Sequence, residues 1–241
     1  MVYYAFFAFF VFAYVGTLFL FRYLKNAFWA NLMFCANVFL PYLALAIYIA
    51  VTAGVDDWNF INALPSANVS QFMFSTCWIA LLLPKKAKKY HLLLIALLSV
   101  GMFLSPSIAL IRNGAIGYRF LPHFLLDYLA HYVLSLWGVY IIYSKQVELK
   151  VKDSLIAGSI IVVVALIMMI MNVLFDTSFF GLSLNGKHNI YLVVLTDNSY
   201  LSALIYFMGL TTILFLGFFY QGFLPKALKA YLTKRGTIRY N

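Results

Sequence analysis

The chain has 241 residues, of which 65% are hydrophobic and 10% are charged, and its formal net charge is +10. Soluble globular proteins carry about 25% charged residues, so the composition excludes a soluble domain and predicts an integral membrane protein. The two cysteines, both within apolar runs, argue against a disulfide framework.

Seven apolar stretches are long enough to cross a bilayer, for which about 20 residues are needed. No soluble domain separates them, so we predict one all-α membrane domain over residues 1–241, a polytopic bundle of seven transmembrane helices. The first stretch lacks a basic leader, which favours a retained helix over a cleaved signal peptide. The stretches are residues 2–21, 28–53, 67–83, 90–111, 120–143, 154–175 and 200–222.

The basic residues between these stretches predict the orientation. With the N-terminus outside, all but three of the 17 lysines and arginines fall on the inner side; the exceptions are Arg112, Arg119 and Lys187. This bias predicts an outer N-terminus, an outer segment 54–66 and an inner C-terminus. It also explains the net charge without nucleic acid, because the basic loops and the C-terminal tail would contact anionic lipid of the inner leaflet. Membrane lipids are therefore the expected partners.

The fifth stretch places His123, Asp127 and His131 four residues apart, so on a helix they form one stripe. If this helix runs inward from Arg119, His131 lies near the middle of a hydrocarbon core about 30 Å thick. Ionisable groups at that depth are costly without a polar partner, and they indicate a functional site. A hydrogen bond from His131 to Asp127 would fix the tautomer and leave the other ring nitrogen as a base.

The third stretch carries polar side chains at a similar depth, among them Gln71, Ser75 and Cys77. The helical rise places Cys77 near the level of His131. A buried thiol is inert unless a base takes its proton, so Cys77 and His131 are a candidate nucleophile and base. Most single cysteines and histidines in membrane helices serve packing or helix association, and that alternative stays open.

Two further features of the stripe bear on its chemistry. Asn172, at the end of the sixth stretch, is predicted either to hydrogen-bond His123 or to join two helices.

The two histidines of the stripe are about 12 Å apart along a helix, which is too far for one metal ion to bind both. We expect no metal and no cofactor.

The chain resembles the YwaF-like integral membrane proteins of bacteria, which are related to the transmembrane protein 164 acyltransferase family. The resemblance covers roughly residues 65–185 and is carried by three segments in order: "SQFMFSTCWIALLLPKKAKK", "PHFLLDYLAHYVLSLWGVYII" and "MNVLFDTSFFGL". It implies a bacterial plasma-membrane protein with Cys77 as the acyl-accepting nucleophile and His131 as its base. Bacterial members carry a histidine two residues before the cysteine, where this chain has Ser75, so activation of Cys77 would depend on His131 and Asp127.

Three functions therefore compete. In a lipid acyltransferase or transacylase, Cys77 would attack an ester carbonyl, His131 would move the proton, and Asp127 would orient His131. An Asp–His chain is also typical of a proton relay, as in a proton-coupled small-molecule transporter or its substrate-binding subunit. The third possibility is a non-catalytic scaffold or sensor. The expected substrate contacts, including oxyanion donors, are His123, Gln71, Ser75 and Asn172.

Overall fold

The computed structural model describes residues 2–53, 68–113, 121–175, 179–182 and 199–234. Every regular element in these ranges is helical. Short 3₁₀ turns follow the first long helix, at Phe21–Tyr23, and the seventh α-helix, at Phe179–Gly181. The α-helices, numbered in chain order, are α1 (Val2–Leu20), α2 (Ala27–Ala53), α3 (Val69–Thr76), α4 (Ile79–Leu82), α5 (Lys85–Asn113), α6 (Leu121–Tyr143), α7 (Val151–Phe175) and α8 (Ser199–Lys234).

Six helices, namely α1, α2, α5, α6, α7 and α8, are long and apolar enough to cross a membrane. They indicate a multi-pass membrane protein, in agreement with the composition. Two of them, α5 and α8, extend beyond the predicted stretches 90–111 and 200–222. The difference arises because hydropathy falls where lysines occur, whereas the helical backbone continues through them.

The predicted third span, residues 67–83, forms two short helices instead of one long helix. A turn at Cys77 and Trp78 separates α3 from α4. There the N–H of Ala80 donates to the carbonyl of Cys77 at 3.2 Å, an i→i+3 bond typical of 3₁₀ winding. Residues 69–82 extend over about 21 Å at about 1.5 Å per residue, which is less than a hydrocarbon core of about 30 Å. Seven spans therefore stay a prediction.

Helix α6 lies in the centre of the bundle, where α2 and α5 pack against it. Its C-terminal half is almost wholly buried. The backbone of α5 approaches so closely that a Cβ at Gly138 would lie 2.6 Å from the Cβ of Ser99. Helix α8 crosses α5 at Gly217, where a Cβ would clash with the carbonyl oxygen of Leu97. Such glycine contacts allow helices in membranes to pack backbone against backbone.

Several segments rich in lysine and arginine meet at one end of the bundle, which we call the basic end. Three contacts there join the α1–α2 connection to α6, the start of α5 to the start of α7, and the end of α1 to the last turns of α8. They are Tyr140–Leu24, Lys89–Asp153 and Phe19–Tyr231. At the opposite end, called the far end, Tyr3 of α1 packs on Phe124 of α6. The predicted outer segment 54–66 and most of the connection 176–199 lie outside the described residues.

Candidate functional site

The structure places Asp127 and His131 in contact on α6. The Nδ1 atom of His131 lies 2.8 Å from the main-chain carbonyl oxygen of Asp127 and 3.3 Å from its carboxylate Oδ1. A carbonyl oxygen only accepts hydrogen bonds, so Nδ1 carries the hydrogen. Among the described residues, every hydrogen bond of His131 uses Nδ1. The other nitrogen, Nε2, is therefore left to accept or exchange a proton.

This pair lies in an enclosed environment. His131 is 5% exposed, and the Asp127 side chain is 13% exposed. The ring of Phe74, from α3, packs edge-on against the imidazole with the centroids 4.7 Å apart. A charge held away from water in a membrane protein costs a few kcal/mol, and an opposite partner offsets part of that cost. The pair is thus shielded from bulk water while remaining ionisable.

Helix α3 presents Gln71 and Phe74 on one face. Asn68 caps the helix from an extended backbone, and its Oδ1 accepts the N–H of Gln71 at 2.9 Å. Residues three apart on a helix lie side by side, so Gln71 and Phe74 share a face. Both are buried. The Oε1 atom of Gln71 has no hydrogen-bond partner among the described residues.

Helices α3 and α6 run in the same direction, toward the basic end, because both contact α2 at progressively earlier residues. The successive contacts of α3 are Phe74–Tyr42 and Cys77–Cys35. For α6 they are Leu126 with the Leu45 and Ile49 cluster, then Trp137–Asn31. Since Phe74 packs on His131, Gln71 lies one turn toward the far end, at the level of Asp127. Gln71 therefore lies near the height of the carboxylate, on the face of α3 that also carries Phe74.

Cys77 is paired with Cys35 and not with His131. The two Sγ atoms are 3.6 Å apart, and the Cys77 thiol also donates to the carbonyl of Phe74 at 3.1 Å. None of its hydrogen bonds to described residues goes to His131. No hydrogen bond therefore joins the predicted nucleophile and base among the described residues, and their joint action stays a prediction.

The other predicted site residues have local roles in the described structure. The hydroxyl of Ser75 donates to the carbonyl of Phe72, within α3, at 2.9 Å. Asn172 hydrogen-bonds Phe179 twice, through Nδ2 at 2.8 Å and Oδ1 at 2.6 Å, and so ties the end of α7 to the following 3₁₀ turn. His123 is partly buried, one turn from Asp127 toward the far end.

A polar cluster nearer the basic end was not predicted from the sequence. The Oδ1 of Asn31 accepts a hydrogen bond from Trp137 Nε1 at 2.8 Å, and its Nδ2 donates to Gln146 Oε1 at 2.6 Å. These residues are 106 and 115 positions from Asn31 in the chain. The available signal was an isolated amide near the start of an apolar helix, which does not identify its partners.

A second cluster joins three helices through hydroxyl groups. The hydroxyl of Tyr14, on α1, lies 3.0 Å from Ser135 Oγ on α6 and 3.0 Å from the hydroxyl of Tyr220 on α8. Ser135 continues the four-residue spacing of the stripe beyond His131, and this spacing was the signal that could have identified it.

No protein-family model, no curated protein and no solved structure matches the chain. The resemblance to the YwaF-like family therefore stays a prediction. Within the described residues, no group of three or more His, Cys, Asp or Glu side chains is placed to hold a metal ion. The chemistry of the site rests on the geometry around Asp127 and His131.

Proposed function

We propose that the chain is a membrane protein that couples proton exchange at Asp127 and His131 to the movement of a small solute. One observation carries the proposal: Asp127 holds the Nδ1–H of His131, which leaves Nε2 as the proton-exchanging atom. Buried ionisable pairs of this kind are how proton relays in membrane transporters are built. Gln71, at the level of Asp127, is the expected solute contact from α3.

The proposal includes the orientation of the bundle. Residues 69–82 lead from the far end toward the basic end, so we propose that they complete a seventh crossing, with the N-terminus outside and the C-terminus inside. The basic end then faces the cytoplasm and the anionic lipid of a bacterial plasma membrane. Labelling of intact cells tests this orientation: an impermeant maleimide should not modify a cysteine introduced at Lys88 in a Cys35→Ser/Cys77→Ser background. Modification there would overturn the orientation.

Proton coupling is tested in proteoliposomes that contain a pH-sensitive dye. A panel of small amines, amino acids and carboxylates is added outside, and internal pH is followed with the wild-type protein and with the D127N and H131Q variants. We expect at least one solute to drive a pH change that both variants lose. The exposed Asn37, on α2, supplies the control N37A, which should retain the wild-type rate. Wild-type rates in D127N and H131Q, or no coupled solute at all, would refute the proposal.

Acyl transfer is the second candidate, because Phe74 connects the two predicted catalytic residues. Its ring packs on His131, and its carbonyl accepts the Cys77 thiol on the next turn. A shift of this segment toward α6 would bring the sulfur toward the base. Cys77 would then attack the ester carbonyl, expel the lipid alcohol with the proton returned by His131, and retain the acyl group as a thioester.

The thioester separates the two candidates. If the chain is an acyltransferase, protein purified with radiolabelled phospholipid should carry a hydroxylamine-labile acyl group that is absent from C77A and H131A, whereas the transport proposal predicts no such group. If neither acyl transfer nor coupled transport is found, and the variants remain folded, the scaffold or sensor function is the one that remains.

A further inference from the structure

The two cysteines of the chain meet inside the bundle although they are 42 positions apart. Cys35 lies on α2 and Cys77 at the turn between α3 and α4. Their Sγ atoms are 3.6 Å apart, and both thiols are free. Cys35 is 4% exposed and Cys77 is 0% exposed. Since the sequence contains no other cysteine, each is the other's only intramolecular thiol partner.

A disulfide would require the two sulfurs to approach more closely than the 3.6 Å that separates them. A disulfide has an S–S distance of about 2.05 Å, so the sulfurs need to move together by about 1.6 Å. Cys77 lies where regular α-helical winding is interrupted, and the bond from the Ala80 N–H to its carbonyl spans three residues instead of four. Side-chain rotation and adjustment of this turn can supply the movement while α2 and α6 stay in place.

The surroundings restrict which oxidant could reach the pair. Neighbouring residues of α2, including Leu32 and Leu40, are exposed on the apolar surface of the bundle. Such a surface faces lipid in a membrane protein. Water-soluble oxidants are excluded from this depth, whereas a hydrophobic oxidant dissolved in the bilayer can reach α2.

We propose that Cys35 and Cys77 form a redox-active dithiol, which a lipid-soluble quinone converts to an intramolecular disulfide. Both S–H bonds break and one S–S bond forms. The two electrons and two protons pass to the quinone, which becomes a hydroquinone. A reducing thiol or phosphine reverses the reaction. The disulfide tethers α2 to the segment whose Phe74 packs on His131.

The test uses the wild-type protein in lipid bilayers, reduced and then exposed to a fully substituted benzoquinone, which has no ring position open to thiol addition. After unfolding in detergent, free thiols are labelled with a maleimide polymer that retards the protein on a gel. We expect two labels before oxidation and none after it, with both labels restored by a phosphine. Intact mass should fall by two hydrogen atoms, and a linked peptide should contain both cysteines.

The single variants C35S and C77S are the matched controls, since each retains one thiol and cannot form the bond. Each should keep its single label after quinone treatment. Retention of both labels in the oxidised wild-type protein would overturn the proposal. So would a mass increase from a quinone adduct, or a disulfide between two copies of the chain in place of the internal bond. Hydroxylamine does not reduce a disulfide, so these readouts are distinct from a thioester on Cys77.

Discussion

The two halves of α6 hold polar side chains in different ways. Toward the basic end, Ser135 and Trp137 belong to clusters of neutral groups with short reciprocal hydrogen bonds to α1 and α2. Toward the far end, Tyr128 and Tyr132 also hydrogen-bond to α5. Asp127 and His131, which lie beside them, differ in being ionisable and in contacting each other within one helix. Neutral groups that join helices are typical of structural association, whereas an intrahelical acid–base pair leaves proton-exchanging atoms available.

This comparison separates stability from function along one helix. Substitutions in the half near the basic end should lower the free energy of unfolding, because they break contacts between helices. Substitutions of the ionisable pair should alter activity with a smaller effect on stability.

The largest loss of stability is expected for the G217A variant, because Gly217 lies where α8 crosses α5. The added Cβ would clash with the carbonyl oxygen of Leu97 and lie 2.7 Å from its carbonyl carbon, and these are backbone atoms that cannot rotate away. The helices must separate, at a cost of about 3 kcal/mol in the free energy of unfolding, the upper part of the range for overpacking. Unfolding by sodium dodecyl sulfate, followed by tryptophan fluorescence, measures it.

Gly209 provides the matched control on the same helix. A Cβ there meets nothing within 4 Å. The G209A variant should be as stable as the wild type, or more stable by up to about 1 kcal/mol, because alanine is the better helix former. Equal destabilisation by both substitutions would show that the close crossing at Gly217 does not hold the two helices together.

The next largest loss of stability is expected for the N31A variant. It removes the acceptor of the Trp137 indole N–H and the partner of the Gln146 amide. A buried group left without a partner costs about 1–3 kcal/mol, so we expect a loss of about 2 kcal/mol in the same assay. The control N37A removes an exposed amide whose hydrogen bond, within the described part of the chain, goes to the Met33 carbonyl of its own helix, and its effect should stay within about 0.5 kcal/mol.

Much of the fold follows from local properties of the sequence. Hydropathy located all six long helices, and the four-residue spacing predicted the contact between Asp127 and His131, since both depend on helical geometry alone. The third stretch was predicted as one helix because its composition is apolar. Composition does not report the change of winding at Cys77, which depends on backbone hydrogen bonds.

The partner of Cys77 could not be predicted from the sequence. Depth along a helix placed Cys77 level with His131, but depth does not give the direction in which a side chain points. The direction depends on the rotation of α3 against its neighbours, which places Phe74 against both α2 and α6 and Cys77 against Cys35 of α2. Packing between helices distant in the chain sets that rotation, so no local pattern could have identified Cys35 as the partner.

The smallest effect on stability is expected for D127N. Asparagine has nearly the same shape, it keeps an acceptor for the Nδ1–H of His131, and the 2.8 Å bond to the main-chain carbonyl is unaffected. It also removes the cost of keeping a carboxylate away from water, which offsets the lost attraction. We therefore expect a change of less than about 1 kcal/mol in the free energy of unfolding, together with loss of the proton-coupled signal in proteoliposomes. If D127N instead unfolds as easily as N31A, the Asp127–His131 pair serves structure, and the two halves of α6 do not differ in the way inferred here.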